Sequence, residues 1–407
     1  MNILLVHNYY KIAGGEDTVF ENEKRMLEEH GHTVVTYTRS NCEIDAMKPL
    51  RKALALVEAV YSSKAYRDIT KLIADNAIDL VHVHNTQMMI SPSVFEAAKD
   101  AGVPVFQTVH NFRMLCLNAI FYRDGKICED CIEDGLGCGV RHKCYRGSGI
   151  QSRLAMRIQM AARAHGLYRD VNFICLTDFN ASKLKRINKA GKKIIDTDRI
   201  FVKPNFIPSN KICNIGAAVS GRSEGDKRTF VYVGRLDEAK GIYTILESCK
   251  LLNPGIRVRI CGNGPDEEQC RKFVSDNGLD NVEFLGNVEH SKALEVLSSA
   301  DASLFMSKWY EGFPMTIIES FSLGTPMIGL KLGNGGSIIS DIYGDDSRLI
   351  ENDRDTVRHL ADAMNDFDPS DYRFDSSRLE KYTEKENYRI LMDIYEKGIK
   401  LFNNGKM

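Results

Sequence analysis

The chain has 407 residues, 43% of them hydrophobic, with a formal net charge of −1. That length sets an expectation of two or three domains with real cores, and excludes a disordered acidic or basic tail protein. The opening Met-Asn-Ile-Leu-Leu-Val-His has no basic lead and reads as a first strand rather than a signal peptide, and no apolar run reaches the length of a membrane span. Eleven cysteines, part clustered and part scattered singly, fit a reducing cytosol, so a cytoplasmic protein is expected, with no nucleic-acid partner.

In chain order, β-branched and apolar runs alternate with helical periods. Strands are expected at Ile3–His7, Thr33–Thr38, Leu80–His84, Val103–Val109 and Phe173–Leu176, with helices near Asp17–His30, Ser91–Ala101 and Ile150–Tyr168. The pattern then repeats. Strands fit Thr229–Val233, Val258–Cys261, Val282–Leu285, Ala302–Met306 and Met327–Leu330, and helices fit Ile242–Leu252, Asp266–Asn277, Ser291–Ser299 and Pro314–Leu323. Between the halves, Pro204–Pro208 and the Gly/Ser-rich Gly216–Gly225 read as a linker. The expected architecture is α/β: two doubly wound domains, 1–208 and 209–407, facing across a cleft onto which the strand ends open, with the last helix packing back on the first domain.

Charge is uneven along this frame. Between Gly139 and Ile195 there are thirteen Lys and Arg against two acids, Asp170 and Asp178, which calls for an anionic partner. The helical part interleaves Leu154, Met156, Ile158, Met160, Ala161, Ala162 and Leu167 with Arg153, Arg157, Arg163 and Arg169. That suits either an anionic membrane surface or a core-packed helix with a solvated basic face.

Candidate chemistry falls at strand ends in the second half. Gly234-Arg235 with Lys240-Gly241 follows one strand, and two fixed cations there suit a diphosphate. Gly262-Asn263-Gly264-Pro265 follows the next, a turn without bulky side chains that lets a ligand approach the backbone. Glu311-Gly312-Phe313-Pro314-Met315-Thr316-Ile317-Ile318-Glu319 then places two carboxylates across a helix start. Pro314 suits the first turn, and the amides of Met315 and Thr316 are free to attract phosphate. Asp196-Thr197-Asp198 is an Asp-x-Asp pair, read as a turn and not as a metal site. His82-Val83-His84 alternates on one face of a strand end, which packing explains as well as metal binding does.

Taken together, Gly-Arg-x4-Lys, Gly-x-Gly-Pro, Glu-x7-Glu and the small-residue loop Gly333–Gly336 resemble the retaining GT-B glycosyltransferases of the glycosyltransferase 4 family, over nearly the whole chain. In the first half, Gly14-Gly15-Glu16 resembles that family's glycine loop, and Val109-His110-Asn111 its active-site histidine segment. The resemblance implies a GT-B fold and a glycosyltransferase, while the basic amphipathic stretch of the first domain and the absence of an apolar span add the expectation of a cytoplasmic enzyme peripheral on the inner membrane face. It would move a sugar, with retention, from a nucleoside-diphosphate sugar to a glycan or lipid-linked acceptor in bacterial polysaccharide synthesis. Arg235 and Lys240 would bind the diphosphate, Glu311 the sugar hydroxyls, Glu319 the ribose, and His110 the sugar near its reacting face. Gly14, Gly15, Gly264, Pro265, Val288, Gly312, Phe313, Met315 and Thr316 would line the substrate site, with the base near Asn263 and Gly286–Val288. No catalytic Mg²⁺ is then required. An inactive nucleotide-sugar-binding scaffold is the alternative, whereas an oxidoreductase is disfavoured by the lack of Gly-x-Gly-x-x-Gly after the first strand.

One insertion departs from the pattern. Cys116, Cys128, Cys131, Cys138 and Cys144 fall within 29 residues at about 112–146, and Cys128-x2-Cys131 has zinc-knuckle spacing. Cys128, Cys131, Cys138 and Cys144 are the candidate structural zinc ligands, with His142 as a substitute. The loose Cys138-x5-Cys144 spacing and the odd cysteine leave reduced thiols or a disulfide open.

Overall fold

The computed structural model describes residues 1–11, 14–189, 192–209 and 228–405. The expected linker stretch Gly216–Gly225 lies outside the described residues. The chain divides into two compact units. Unit 1 takes Met1–Ile120, Cys128–Asn205 and Glu384–Met407, and unit 2 takes Phe121–Ile127 and Phe206–Thr383.

Unit 1 is a six-stranded sheet of β1 (Asn2–Tyr9), β2 (Thr33–Ser40), β3 (Leu80–Val83), β4 (Val105–Val109), β7 (Asn172–Cys175) and β8 (Ile200–Val202), in the order β2-β1-β3-β4-β7-β8 and parallel throughout. A parallel sheet covered on both faces needs apolar side chains on both, which is why Ile3, Leu4, Leu5 and Val6 run consecutively and are fully buried. Its helices are α1 (Gly15–Glu29), α2 (Pro49–Glu58), α3 (Ser63–Asp75), α4 (Ser93–Asp100), α5 (Asp130–Glu133), α6 (Gly137–Arg141), α7 (Gly149–Ala164), α8 (Asp178–Lys185) and, from the far end of the chain, α15 (Glu384–Asn404).

Unit 2 carries the hairpin β5 (Tyr122–Arg123) and β6 (Lys126–Ile127). Its six-stranded sheet comprises β9 (Arg228–Val233), β10 (Ile256–Cys261), β11 (Val282–Gly286), β12 (Ala302–Phe305), β13 (Met327–Leu330) and β14 (Leu349–Ile350). The order is β11-β10-β9-β12-β13-β14, again parallel. The helices are α9 (Ile242–Cys249), α10 (Glu267–Asp276), α11 (His290–Ser298), α12 (Met315–Ser322), α13 (Gly333–Tyr343) and α14 (Thr356–Asn365).

α15 belongs with unit 1 because its apolar stripe is spent there. Leu391, Ile394 and Tyr395 are buried, each apolar side chain contributing about 1.5–3 kcal/mol, and Tyr395 sets its ring against Phe106 of β4. Gly398 lets the helix close on the sheet, since a Cβ there would lie 2.4 Å from the Phe106 ring. Arg199, in the turn just before β8, closes the same contact by donating to the Leu401 carbonyl at 3.0 Å.

Several expectations need adjusting. The helix expected to run to Tyr168 stops at Ala164, because Gly166 takes φ +65 and the chain turns; Tyr168 then points inward and donates to Gln159 at 3.0 Å. Residues 121–127, expected within the first domain's insertion, belong to unit 2, where Phe121 meets Tyr310 with centroids 6.0 Å apart. Asp196-Thr197-Asp198 is indeed a turn, a single 3-10 segment Thr197–Arg199 leading into β8. The expected elements omit helices α2, α3, α5, α6, α8, α13 and α14 and the strands β5, β6, β8 and β14, which at two or three residues are too short to show a period.

Candidate active site

In unit 2 the strand order reverses between β9 and β12, which makes their carboxyl ends the expected binding edge. β9 delivers Gly234 and Arg235. After it a 3-10 turn, Glu238–Lys240, is capped by Asp237 accepting from the Ala239 amide at 2.9 Å, which aims Lys240 back across the edge. The Lys240 ammonium lies 2.7 Å from Glu311 Oε1 and 5.2 Å above the Trp309 ring. Glu311, 6% exposed, also accepts from Ser307 Oγ at 2.6 Å. Asn334 fixes the backbone at this point, its side-chain amide donating to the Glu311 carbonyl and, at 3.0 Å, to that of Gly312. Two loops are tied together where the Lys308 amide donates to the Ala239 carbonyl at 2.8 Å.

The Glu-x7-Glu segment folds with one difference from expectation. Pro314 is the N-cap, with extended backbone, and α12 starts at Met315. No side chain caps it, so the first-turn amides of Met315 and Thr316 take no capping bond at a helix start whose dipole favours negative charge. Glu319, in the second turn, meets His290 Nε2 at 2.9 Å. Arg235 is exposed and rests on Asp237 at 2.5 Å rather than on Glu311. The structure therefore joins Lys240 and Glu311 directly, while Arg235 and Glu319 each hold another local partner.

The glycine turn after β10 has a structural partner of its own. The Leu236 amide donates to the Asn263 carbonyl at 2.9 Å, and a Cβ on Gly264 would lie 2.2 Å from the Leu236 carbonyl oxygen. Its smallness thus serves backbone against backbone, whereas ligand approach was the expected reason; Pro265 and Asn263 are exposed beside it. Gly241, at φ +78, is pinned by the Met306 carbonyl, 1.8 Å from its would-be Cβ. Val288 packs on the cluster around Val231 and Leu297, and Phe313 and Met315 pack on the cluster around Phe321. Their side chains are structural first. Gly333–Gly336, read as a loop, is the first turn of α13 and buries Asn334 completely.

In unit 1 the strand order turns between β1 and β3. Gly14 caps α1 and Gly15 opens it, with nothing within 4 Å of either would-be Cβ. Glu16 accepts from Asn111 Nδ2 at 3.2 Å; burial pushes its carboxyl up to about 7, against the pull of Arg113. His110, just past β4, stacks on His84 with centroids 5.2 Å apart and Nε2 at 3.1 Å from His84 Nδ1. Burial and the neighbouring His84 hold His110 well below the ordinary histidine range, so it works as a neutral hydrogen-bonding group.

Among the described residues one group has three potential metal ligands in mutual reach: Glu23, His82 and His84, all buried. The Lys203 ammonium lies 2.9 Å from Glu23 Oε2 and is itself 1% exposed. That built-in cation supplies the positive charge a metal would bring and repels a second one. Among the described residues, the four cysteines expected as zinc ligands are not among the groups of three ligand atoms in mutual reach. Cys138 Sγ accepts from Arg141 Nη2 at 2.9 Å. Cys116 Sγ donates to Asn118 Oδ1 at 2.8 Å, and the neighbouring Cys116 pulls the Cys131 thiol down to about 6.

Trp309, Ser307, Asn334, Glu23 and Lys203 were not singled out beforehand. Glu23 did leave a signal: it is a carboxylate on the apolar stripe Val19, Phe20, Met26, Leu27 of α1.

Two family profiles match the chain. One, described as glycosyl transferases group 1, covers residues 218–383, and the other, a glycosyl transferase 4-like domain, covers residues 14–184. An exopolysaccharide phosphotransferase of Streptomyces coelicolor is 31% identical over 192 residues, 46% of this chain but only 18% of that protein. Among solved structures, a lipopolysaccharide outer core galactosyltransferase aligns with a TM-score of 0.64 at 16% identity, covering 98% of this chain and 99% of that one. The HepE protein of Anabaena, in complex with UDP and glucose, aligns with a TM-score of 0.59 at 14% identity over 97% of this chain and all of that one. At these identities the structures speak to the fold, which is GT-B.

Proposed function

The chain belongs to the group 1 glycosyltransferases of the glycosyltransferase 4 type, and on that premise we propose that it transfers a sugar from a nucleoside-diphosphate sugar to a glycan or lipid-linked acceptor in bacterial polysaccharide synthesis. The observation that carries the reading is the Lys240–Glu311 pair at the strand-order reversal of unit 2, beside the uncapped start of α12. In this reading the amides of Met315 and Thr316, with Lys240 and Arg235, take the diphosphate. Arg235 can leave Asp237 for phosphate at little cost, because an exposed ion pair is worth about 0–1 kcal/mol. Lys240 and Ser307 hold Glu311 oriented to accept hydrogen bonds from the sugar hydroxyls. Glu319 exchanges His290 for the ribose diol.

We further propose retention by a same-face route, in which the leaving phosphate takes the acceptor proton and fixed cations and dipoles stabilise the growing charge. With two cations and a helix start on the diphosphate, no catalytic Mg²⁺ is assigned. UDP bound to the Anabaena HepE protein makes a uridine donor the first to test.

The test is calorimetric titration of UDP, GDP and ADP into the metal-stripped protein, with Arg235→Ala and Glu319→Ala beside the wild type. One diphosphate should bind without Mg²⁺, and both variants should weaken it by about tenfold or more, as expected for loss of a charge-assisted contact of 1.5–3 kcal/mol. Absence of binding by all three would sink the transferase reading. Glu311→Ala should lower turnover more than donor affinity.

A further inference from the structure

Behind His110 in unit 1 lies a row of buried side chains that sugar transfer leaves unused. Lys203 Nζ is 2.9 Å from Glu23 Oε2, and Glu23 Oε1 is 3.0 Å from His82 Nδ1 and 3.3 Å from His84 Nε2. His84 Nδ1 in turn is 3.1 Å from His110 Nε2. The row is clamped from outside: His82 meets the Tyr395 hydroxyl at 2.7 Å and Thr108 Oγ1 at 2.8 Å, and Lys203 donates to Asn387 at 2.9 Å.

The proton positions follow from charge. One buried carboxylate faces one buried ammonium, so an added imidazolium would be an uncompensated charge. Burial also drives His84 down to about 4, against the pull of Glu23. A neutral imidazole carries one N–H. His84 Nε2 lies 3.3 Å from the Glu23 carboxylate without hydrogen-bond alignment; at that distance a bare nitrogen is repelled by the carboxylate and an N–H is attracted, which places the proton on Nε2 and makes Nδ1 an acceptor. The contact between the two imidazoles then needs its proton from His110 Nε2. His110 Nδ1 is left without a proton, on a half-buried ring.

We infer that Glu23 is a positioning residue: acting through His84, it fixes His110 as the Nε2–H tautomer and presents His110 Nδ1 as a hydrogen-bond acceptor, which selects a ligand that brings a hydroxyl donor. The ligand half rests on the sugar-transfer reading; the tautomer half rests on the geometry alone. A backwards tautomer would offer an N–H and favour a carbonyl or phosphate oxygen instead.

The experiment is imidazole ¹⁵N NMR on the full chain with its ten histidines labelled, His84 and His110 being assigned through His84→Gln and His110→Gln. Both should appear as single Nε2–H tautomers in the free protein. The double variant Glu23→Gln, Lys203→Met removes the ion pair as a unit, and in it His110 should lose its single tautomer. A wild-type His110 protonated at Nδ1 overturns the inference, as does an unchanged His110 in the double variant. If the double variant does not fold, the wild-type spectrum decides alone. With UDP-glucose as probe, the Nδ1 resonance should shift toward that of a hydrogen-bonded acceptor. Binding seen by calorimetry with no such shift overturns the ligand half, while absence of binding counts against the donor reading and leaves the tautomer result standing.

Discussion

Glu23 shows how a single residue can serve fold and site together. It occupies the inward stripe of α1 between Phe20 and Met26, where an apolar side chain would be ordinary, and it is charged because Lys203 is. Burial works against its ionisation, yet Lys203 and His82 hold its carboxyl well below the usual range. Lys203→Met alone should therefore cost about 3–5 kcal/mol in urea unfolding, the range for stripping one partner from a buried pair, and adding Glu23→Gln should recover most of it. His84 adds a pH dependence. Its folded-state value of about 4 lies below the ordinary 6.5, so between those values the unfolded chain binds the extra proton and stability falls as pH falls. Across that window the loss is about 3 kcal/mol, and His84→Phe should flatten it in denaturation midpoints measured at pH 7 and pH 5. The sequence disclosed His84 by its alternation with His82, but it could not disclose the charge balance, because Lys203 lies 180 residues from Glu23 in the chain.

At the scale of elements, the strand ends were legible and their partners were not. Periodicity places Arg235, Lys240, Glu311 and Glu319 beyond strands or at a helix start, and each lies there. What spacing cannot show is that Lys240 grips Glu311, or that the glycine of the β10–α10 turn is needed by Leu236. Gly264→Ala should accordingly lower stability before it lowers donor affinity, since its Cβ meets backbone that has nowhere to move. For α7 the structure sharpens the basic pattern. Ser152, Ala155, Ile158, Gln159 and Ala162 face inward, leaving Ile150, Arg153, Arg157 and Met160 as an outward stripe at three- and four-residue spacing. Arg163 is not part of it, because it turns into the lobe and donates to the Met114 carbonyl. If this stripe lies on an anionic bilayer, as proposed for a lipid-linked acceptor, Arg153→Glu with Arg157→Glu should weaken sedimentation with anionic vesicles at low salt by about thirtyfold or more, from about 1 kcal/mol per lost charge. Binding that survives the change would remove the membrane role, and Arg163→Glu should damage folding instead.

For the whole molecule, the decisive fact is that unit 1 is built from both ends of the chain. The sequence suggested a break near residue 208, and the repeated strand–helix alternation makes that natural. The final helix is expected to pack back on the first domain, and its partners show what holds it in unit 1. Leu391, Ile394 and Tyr395 are fully or nearly buried, Asn387 bridges Lys203 and the Pro204 carbonyl, and Tyr395 holds His82. A fragment ending at residue 208 loses all of these and uncovers Phe106 and Asn172 on the sheet. At about 1.5–3 kcal/mol for each large apolar side chain whose burial is lost, Leu391, Ile394, Tyr395 and Phe106 together contribute about 6–12 kcal/mol, and with Lys203 robbed of an acceptor the loss is comparable with the 5–15 kcal/mol that usually holds a domain together. Fragment 1–208 should therefore give a collapsed state without dispersed amide NMR signals, whereas the same fragment joined through a Gly/Ser linker to residues 384–407 should fold cooperatively. A well-dispersed spectrum from 1–208 alone would show that α15 is an addition to unit 1 rather than a part of its core.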